Sequence, residues 1–426
     1  MTACFGLGVQ LDTIATGYLT SATGAWMREP PAGQHGGVLA SPPRPSRRLV
    51  FAALGLALTV AVVAVGVIIA TRKPPPRGLV ATLSGPGGQA ICSAAFRPGG
   101  TTLAVAGCND GVFLWDVATR RWIATLTGSG CPQGGQIAFS PDGKTLALFG
   151  GRPVSASLTG KHPTTCLWDV RAQREIALAD PRLLAFGSTN GAFSPDGTTL
   201  AVADNSGNIY LWNVAARRVT ATVPASSYCA PTCTVAFSLD GTMLAVGESE
   251  PSGDHGHVYL WNLAAKRWAG MLTSPGRGPV DSLAFSREGI LAAGADDHAY
   301  LWNVATRRLT GTIAPPIDAA QGNASISKGG ADGGPYPAPG AFARAVTAAF
   351  SPDGTILAVD ASFGYGTYRY DLATRKRIAA LTYAGGRFHF AAPIAFSPDG
   401  TMLAVGESEA TSDHGRVYLW DVTSNR

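Results

Sequence analysis

Two stretches of the sequence gather acids and histidines closely enough to hold a divalent cation. One carries Glu248, Glu250, Asp254, His255 and His257, the other Glu407, Glu409, Asp413 and His414. Carboxylate oxygens and imidazole nitrogens are the donors such ions take. The stretches are also near copies, Gly241 to Trp261 against Gly400 to Trp420. Duplication of one polar loop explains the coincidence without an ion, so no metal is assigned. Cys229 and Cys233 stand in Cys-Ala-Pro-Thr-Cys, which is neither a redox Cys-x-x-Cys nor half of a zinc knuckle. A small loop disulfide is the special role that spacing suits. The sequence holds no nucleophile elbow, His-Glu-x-x-His helix, phosphate-binding loop or dinucleotide glycine fingerprint. It therefore predicts no catalytic residue, no cofactor, and a protein that is not an enzyme.

The patterned charges are basic. Arg120 and Arg121, Arg217 and Arg218, Lys266 and Arg267, Arg307 and Arg308, and Arg375, Lys376 and Arg377 each follow a short apolar run at the same interval, with Arg171, Arg174 and Arg426 in related places. Polar turns need solubilising charge, which is one reading; contact with a partner or with lipid is the other. Net charge is +5 over 426 residues. That is mild, and no nucleic-acid partner is expected.

Seven repeats position these turns. A pattern close to AFSPDGTTLAV places Phe at 96, 139, 193, 237, 285, 350 and 396. Each copy is followed by an aromatic residue and an acid or amide: Trp115-Asp116, Trp168-Asp169, Trp212-Asn213, Trp261-Asn262, Trp302-Asn303, Tyr370-Asp371 and Trp420-Asp421. In SPDG, Pro presets φ and Gly accepts positive φ, giving a tight turn between two strands. A third strand such as Val258 to Trp261 and a fourth such as Leu309 to Ile313 complete a four-strand unit. High Gly and Pro with 14% charged residues suit short strands and turns.

On these residues, 78–426 resembles the WD-repeat β-propellers, which implies an all-β, seven-bladed ring. The last repeat stops after its third strand, and Arg77 to Leu83 reads like Arg120 to Leu126, so strand 79–83 is expected to join the last blade and close the ring. Three departures stand out. The Gly-His pair common before the first strand is absent, so the family's buried His-Ser-Asp-Trp network is incomplete here. Tyr370 replaces Trp in the sixth repeat, and residues 317–343 form a Gly/Ala/Pro-rich insertion before it.

Ahead of the repeats, residues 49–70 are uncharged. At about 1.5 Å per residue they reach about 33 Å as a helix, enough for a hydrocarbon core of about 30 Å. They are expected to form a transmembrane helix between a disordered tail, 1–48, and a Pro-rich linker, 71–77. Three basic residues on each side (Arg44, Arg47 and Arg48; Arg72, Lys73 and Arg77) leave the orientation undecided. Beyond the span lie Cys92, Cys108, Cys131, Cys166, Cys229 and Cys233, an even number compatible with disulfides in an oxidising exterior. They also suit buried hydrophobic sites, since Cys166 takes the place of Phe113, Tyr210 and Tyr259. The chain is similar to membrane-anchored WD-repeat proteins of actinobacterial type, some of which carry a kinase domain before the span; the tail is too short for one. The resemblance implies a monomeric, single-pass, extracytoplasmic scaffold or sensor that binds a protein or envelope polymer through propeller loops, with a lactonase-like or quinoprotein-like propeller as the enzymatic alternative.

Overall fold

The computed structural model describes residues 78–84, 90–108, 111–128, 131, 134–150, 165–176, 188–204, 207–224, 233–248, 256–276, 278–296, 298–315, 346–361, 366–381, 392–407 and 415–423. The chain divides into compact units Met1–Pro74 and Pro75–Arg426, and every described residue belongs to the second. Among the described residues no helix is long and apolar enough to cross a membrane. The run 49–70 and its flanks, Cys229, the insertion 317–343 and most of the acid- and histidine-rich loops lie outside them.

Strand β1 (Leu79–Ser84) precedes the first complete blade, β2 (Ile91–Phe96), β3 (Thr102–Gly107), β4 (Val112–Asp116) and β5 (Arg121–Leu126). Blade two is β6 (Gln136–Phe139), β7 (Thr145–Phe149), β8 (Thr165–Asp169) and β9 (Arg174–Ile176). Blade three is β10 (Ser188–Phe193), β11 (Thr199–Asp204), β12 (Ile209–Asn213) and β13 (Arg218–Val223). Blade four is β14 (Thr234–Phe237), β15 (Met243–Gly247), β16 (His257–Asn262) and β17 (Arg267–Thr273). Blade five is β18 (Val280–Phe285), β19 (Ile290–Ala295), β20 (His298–Asn303) and β21 (Arg308–Ile313). Blade six is β22 (Val346–Phe350), β23 (Ile356–Ala361), β24 (Thr367–Asp371) and β25 (Arg377–Leu381). Blade seven is β26 (Ile394–Phe396), β27 (Met402–Glu407) and β28 (Arg416–Asp421), with β1 antiparallel to β28 as its fourth strand.

Each sheet is a four-strand antiparallel meander, and the first strand of every blade touches the first strand of both neighbours, β26 meeting β2. The seven first strands therefore form the inner wall of a closed ring. Second strands are buried almost throughout, as in Thr102–Gly107, because both their faces are covered by other blades. Fourth strands begin exposed, as in Arg121–Leu126, because they form the outer wall. The hydrophobic core is correspondingly split into seven clusters, each shared by two adjacent blades. Trp168, Trp212 and Trp420 are fully buried in three of them. Their indole N–H groups find no hydrogen-bond partner among the described residues. Blade six departs again: Arg369 occupies the place of Leu301 and Leu419, fully buried, and its Nη1 donates to the Val422 carbonyl of blade seven at 2.8 Å.

Candidate functional site

In an antiparallel meander the first and third strands run the same way. The turns that end them lie on one face of the ring, and the connections after the second and fourth strands lie on the other. The first set of turns is built by Ser and Asp. Ser140, Ser194, Ser238, Ser351 and Ser397 donate Oγ–H to Oδ1 of the Asp two residues on, at 2.5 to 2.6 Å. The same Oγ accepts the backbone N–H that opens the next strand. These hydroxyls, with a second backbone N–H, hold Asp142, Asp196, Asp240 and Asp399 below the usual carboxylate range. Blade one has Arg97-Pro98-Gly99-Gly100 instead, and Arg97 Nε donates to the Gly143 carbonyl of blade two at 2.8 Å.

The second set carries the basic residues. In blades one to six the Asp or Asn after the aromatic accepts the backbone N–H three residues on, at 2.7 to 2.9 Å: Asp116 from Thr119, Asp169 from Ala172, Asn213 from Ala216, Asn262 from Ala265, Asn303 from Thr306 and Asp371 from Thr374. The chain then reverses through one left-handed residue: Arg120, Gln173, Arg217, Lys266, Arg307 or Arg375, at φ between 49° and 58°. A residue with a Cβ adopts this conformation at a cost of about 1 to 2 kcal/mol that Gly avoids. A bulge at the aromatic follows in five of these blades. Five of the six left-handed positions are nevertheless cationic, and each is followed at once or within one residue by another Arg or Lys.

The structure thus brings Arg120, Arg121, Arg217, Arg218, Lys266, Arg267, Arg307, Arg308, Arg375, Lys376 and Arg377 onto one rim, all exposed. None makes an ion pair among the described residues, where the ion pair found is Lys144 with Asp142. Arg377 lies 5.7 Å from the ring centre of Tyr368. Two rim residues reach sideways onto the preceding blade. A Cβ at Gly270 would stand 2.8 Å from the Arg307 guanidinium carbon, and one at Gly311 would stand 3.0 Å from Arg375 Nε.

The other sequence candidates do not join this rim. Cys233 is disulfide-bonded, while Cys229 lies outside the described residues. Cys92 pairs with Cys108, and Cys131 with Cys166. Of the acid- and histidine-rich loops, Glu248 is buried and its backbone N–H donates to the His257 carbonyl, whereas the His257 ring sits 3.2 Å from Thr273 Oγ1. Among the described residues the one group with metal-ligand geometry is Cys131, Cys166 and Glu175, and its sulfurs are joined to each other.

Sequence reasoning missed two features of the inner wall. Ser93 Oγ accepts the Ile137 N–H, Gln136 Oε1 the Gly191 N–H and Asn190 Oδ1 the Val235 N–H, while Ser282 Oγ donates to the Val346 carbonyl and Thr347 Oγ1 to that of Ala392. The first four link one first strand to the next, and the last reaches the residue two before the start of β26. Asp281 sits in the bulge between Val280 and Ser282. Burial pushes its carboxyl up to about 6 against one backbone hydrogen bond from Val346, and its Oδ2 has no hydrogen-bond partner among the described residues. An acid four residues before the repeat Phe was the available signal.

Seven four-stranded sheets closed through their first strands define a seven-bladed β-propeller. The WD40 family (WD domain, G-beta repeat) matches residues 77–116, 188–213 and 394–421, which span parts of blades seven, one and three. The chain carries WD40 repeats in that ring. No curated protein matches it.

Proposed function

We propose that the protein is a membrane-tethered interaction scaffold or sensor of the cell envelope, of the actinobacterial type it resembles, and that it binds a protein or envelope polymer through propeller loops. One observation carries the binding role. Turns on one face are near copies, while connections on the opposite face range from the step between Ala295 and His298 to the stretch between Ile313 and Val346. Length variation confined to one side of a rigid frame is how scaffolds place recognition loops. The uncharged run 49–70 supports the tether, and the bonded pairs Cys92–Cys108 and Cys131–Cys166 support an oxidising exterior.

The test is photo-crosslinking in intact cells, with the reactive residue at Asp296 or His298 on the variable face, or at Thr119 or Ala216 on the turn face. A discrete adduct is expected from the first pair alone. Adducts from the turn face only, or from neither, would overturn the assignment. Protease added to spheroplasts should digest the propeller along with an external control; protection of the propeller would reverse its sidedness.

A further inference from the structure

Charge on the turn face is not spread evenly around the ring. In blades one and two the residue that caps the third-to-fourth-strand turn is an acid, Asp116 or Asp169, while blade seven, whose third and fourth strands are not consecutive, has no such turn. In blades three, four and five it is the neutral Asn213, Asn262 or Asn303, and blade six alone in this arc has an acid, Asp371. The same arc carries Arg217, Arg218, Lys266, Arg267, Arg307, Arg308 and the Arg375–Arg377 triplet. Asn makes the cap as well as Asp, at 2.7 to 2.9 Å, so the turn does not demand the neutral choice. In blades three to five its electrostatic effect is to leave the rim cations without a cap carboxylate beside them. The Ser-bound acids of the other turns lie on the inner circle, attached to the first strands, and away from the outer edge.

Two further features bear on this edge. Arg307 of blade five lies over Gly270 of blade four, and Arg375 of blade six over Gly311 of blade five, so these cations reach onto the neighbouring blade. Large apolar side chains lie among these cations: Leu309 follows Arg308 and Ile378 follows Arg377, at 37% and 39% exposed, as Trp122 and Ile123 follow Arg121 at 51% and 45% on the opposite arc. An outer edge of a ring is convex and cannot enclose a single strand, and aliphatic groups offer no platform for stacked bases. A headgroup layer accepts both elements at once, its negative charge meeting the guanidinium groups and its acyl boundary taking the Leu and Ile.

We infer that the edge of blades three to six is a docking surface for an anionic lipid bilayer. It goes beyond the scaffold role and does not depend on the tether, because it is tested on a fragment without residues 49–70. Pro75–Arg426 is a compact unit in which all seven sheets are complete. The fragment is floated with vesicles of phosphatidylcholine, and of phosphatidylcholine mixed with phosphatidylglycerol, at low and at high salt. Binding to the mixed vesicles at low salt, lost at high salt and absent on the neutral ones, is expected. The variant Arg307→Asn, Arg308→Gln, Arg375→Asn, Lys376→Gln should bind at least about tenfold more weakly, since a cation near an anionic surface contributes roughly a factor of five. Asn tolerates the left-handed position, so the turns survive and circular dichroism should be unchanged. Arg120→Asn with Arg121→Gln, on the opposite arc, should bind as the parent does. Equal recovery on both vesicles, equal loss from both variants, or binding to an RNA oligonucleotide with none to mixed vesicles would each overturn the proposal.

Discussion

Asp281 shows how a single carboxyl records its surroundings. The inner wall withholds water from it, and one backbone N–H from Val346 does not restore what solvent would give, so it titrates near 6 and not at 3.8. A folded-state value above the unfolded one favours folding most when the group is protonated. The contribution is complete below the unfolded value and is lost as pH rises through about 6. Asp281→Asn keeps the shape and the acceptor but cannot ionise. Urea unfolding should find the variant more stable than the parent at pH 8, by up to about 3 kcal/mol, with the difference vanishing near pH 4. Equal midpoints at pH 8 would remove burial as the cause. The Ser-bound Asp142, Asp196, Asp240 and Asp399 behave oppositely, since their lowered values make their contribution disappear as pH falls.

At the scale of the elements, what the sequence revealed and what it hid divide by distance along the chain. Ser-Pro-Asp-Gly and the aromatic-Asp/Asn pair are local devices: Ser140 reaches Asp142 and Asp116 reaches Thr119, so spacing alone announces them, and seven copies announce the blades. The bonds between first strands have no such signature. Ser93, Gln136, Asn190, Ser282 and Thr347 are different residues with partners 44 to 64 positions away. Only the closed ring makes them equivalent. Asp281 and the exposed Leu309 and Ile378 were hidden likewise, because neighbouring blades decide whether a strand position is wet or dry. The bond from Ile137 N–H to Ser93 Oγ is buried at 3.1 Å. Ser93→Ala would strand that N–H, and an unmet buried donor costs about 1 to 3 kcal/mol. A urea midpoint lowered correspondingly, with an unchanged slope, is the expected result; Ser93→Thr, which keeps a hydroxyl, should recover part of it.

At the scale of the whole molecule, the ring stands or falls at one seam. β1 pairs with β28 from Leu79 with Trp420 to Ser84 with Arg416, and Leu83 is buried in the core shared by blades seven and one. Removing β1 opens the edge of β28 and removes Leu83 from that core. A fragment starting at Ala90 should therefore be at least about 3 kcal/mol less stable than one starting at Pro75, from the lost apolar burial and strand bonds. It should also lose its single cooperative transition. A synthetic peptide of residues 75–89, added in excess, should restore part of the stability. Coincident melting of the two fragments would place the seam elsewhere.

That seam also fixes the order in which the ring is made. A ribosome synthesises β1 before every other strand of the ring, and its partner β28 after every other. Throughout translation the earliest strand has no lane to occupy, and the last sheet emerges with an empty lane on its outer side. Bringing such distant segments together adds only about 2 kcal/mol of loop entropy over closing a single blade, because that entropy grows with the logarithm of length. The empty lane is indifferent to which molecule fills it. A neighbouring chain's β1 carries the same six residues, and the chain's own strand prevails only through its high local concentration, in the millimolar range for short tethers. Where newly made copies crowd together, strand exchange and self-closure are competing outcomes of one unfilled sheet edge.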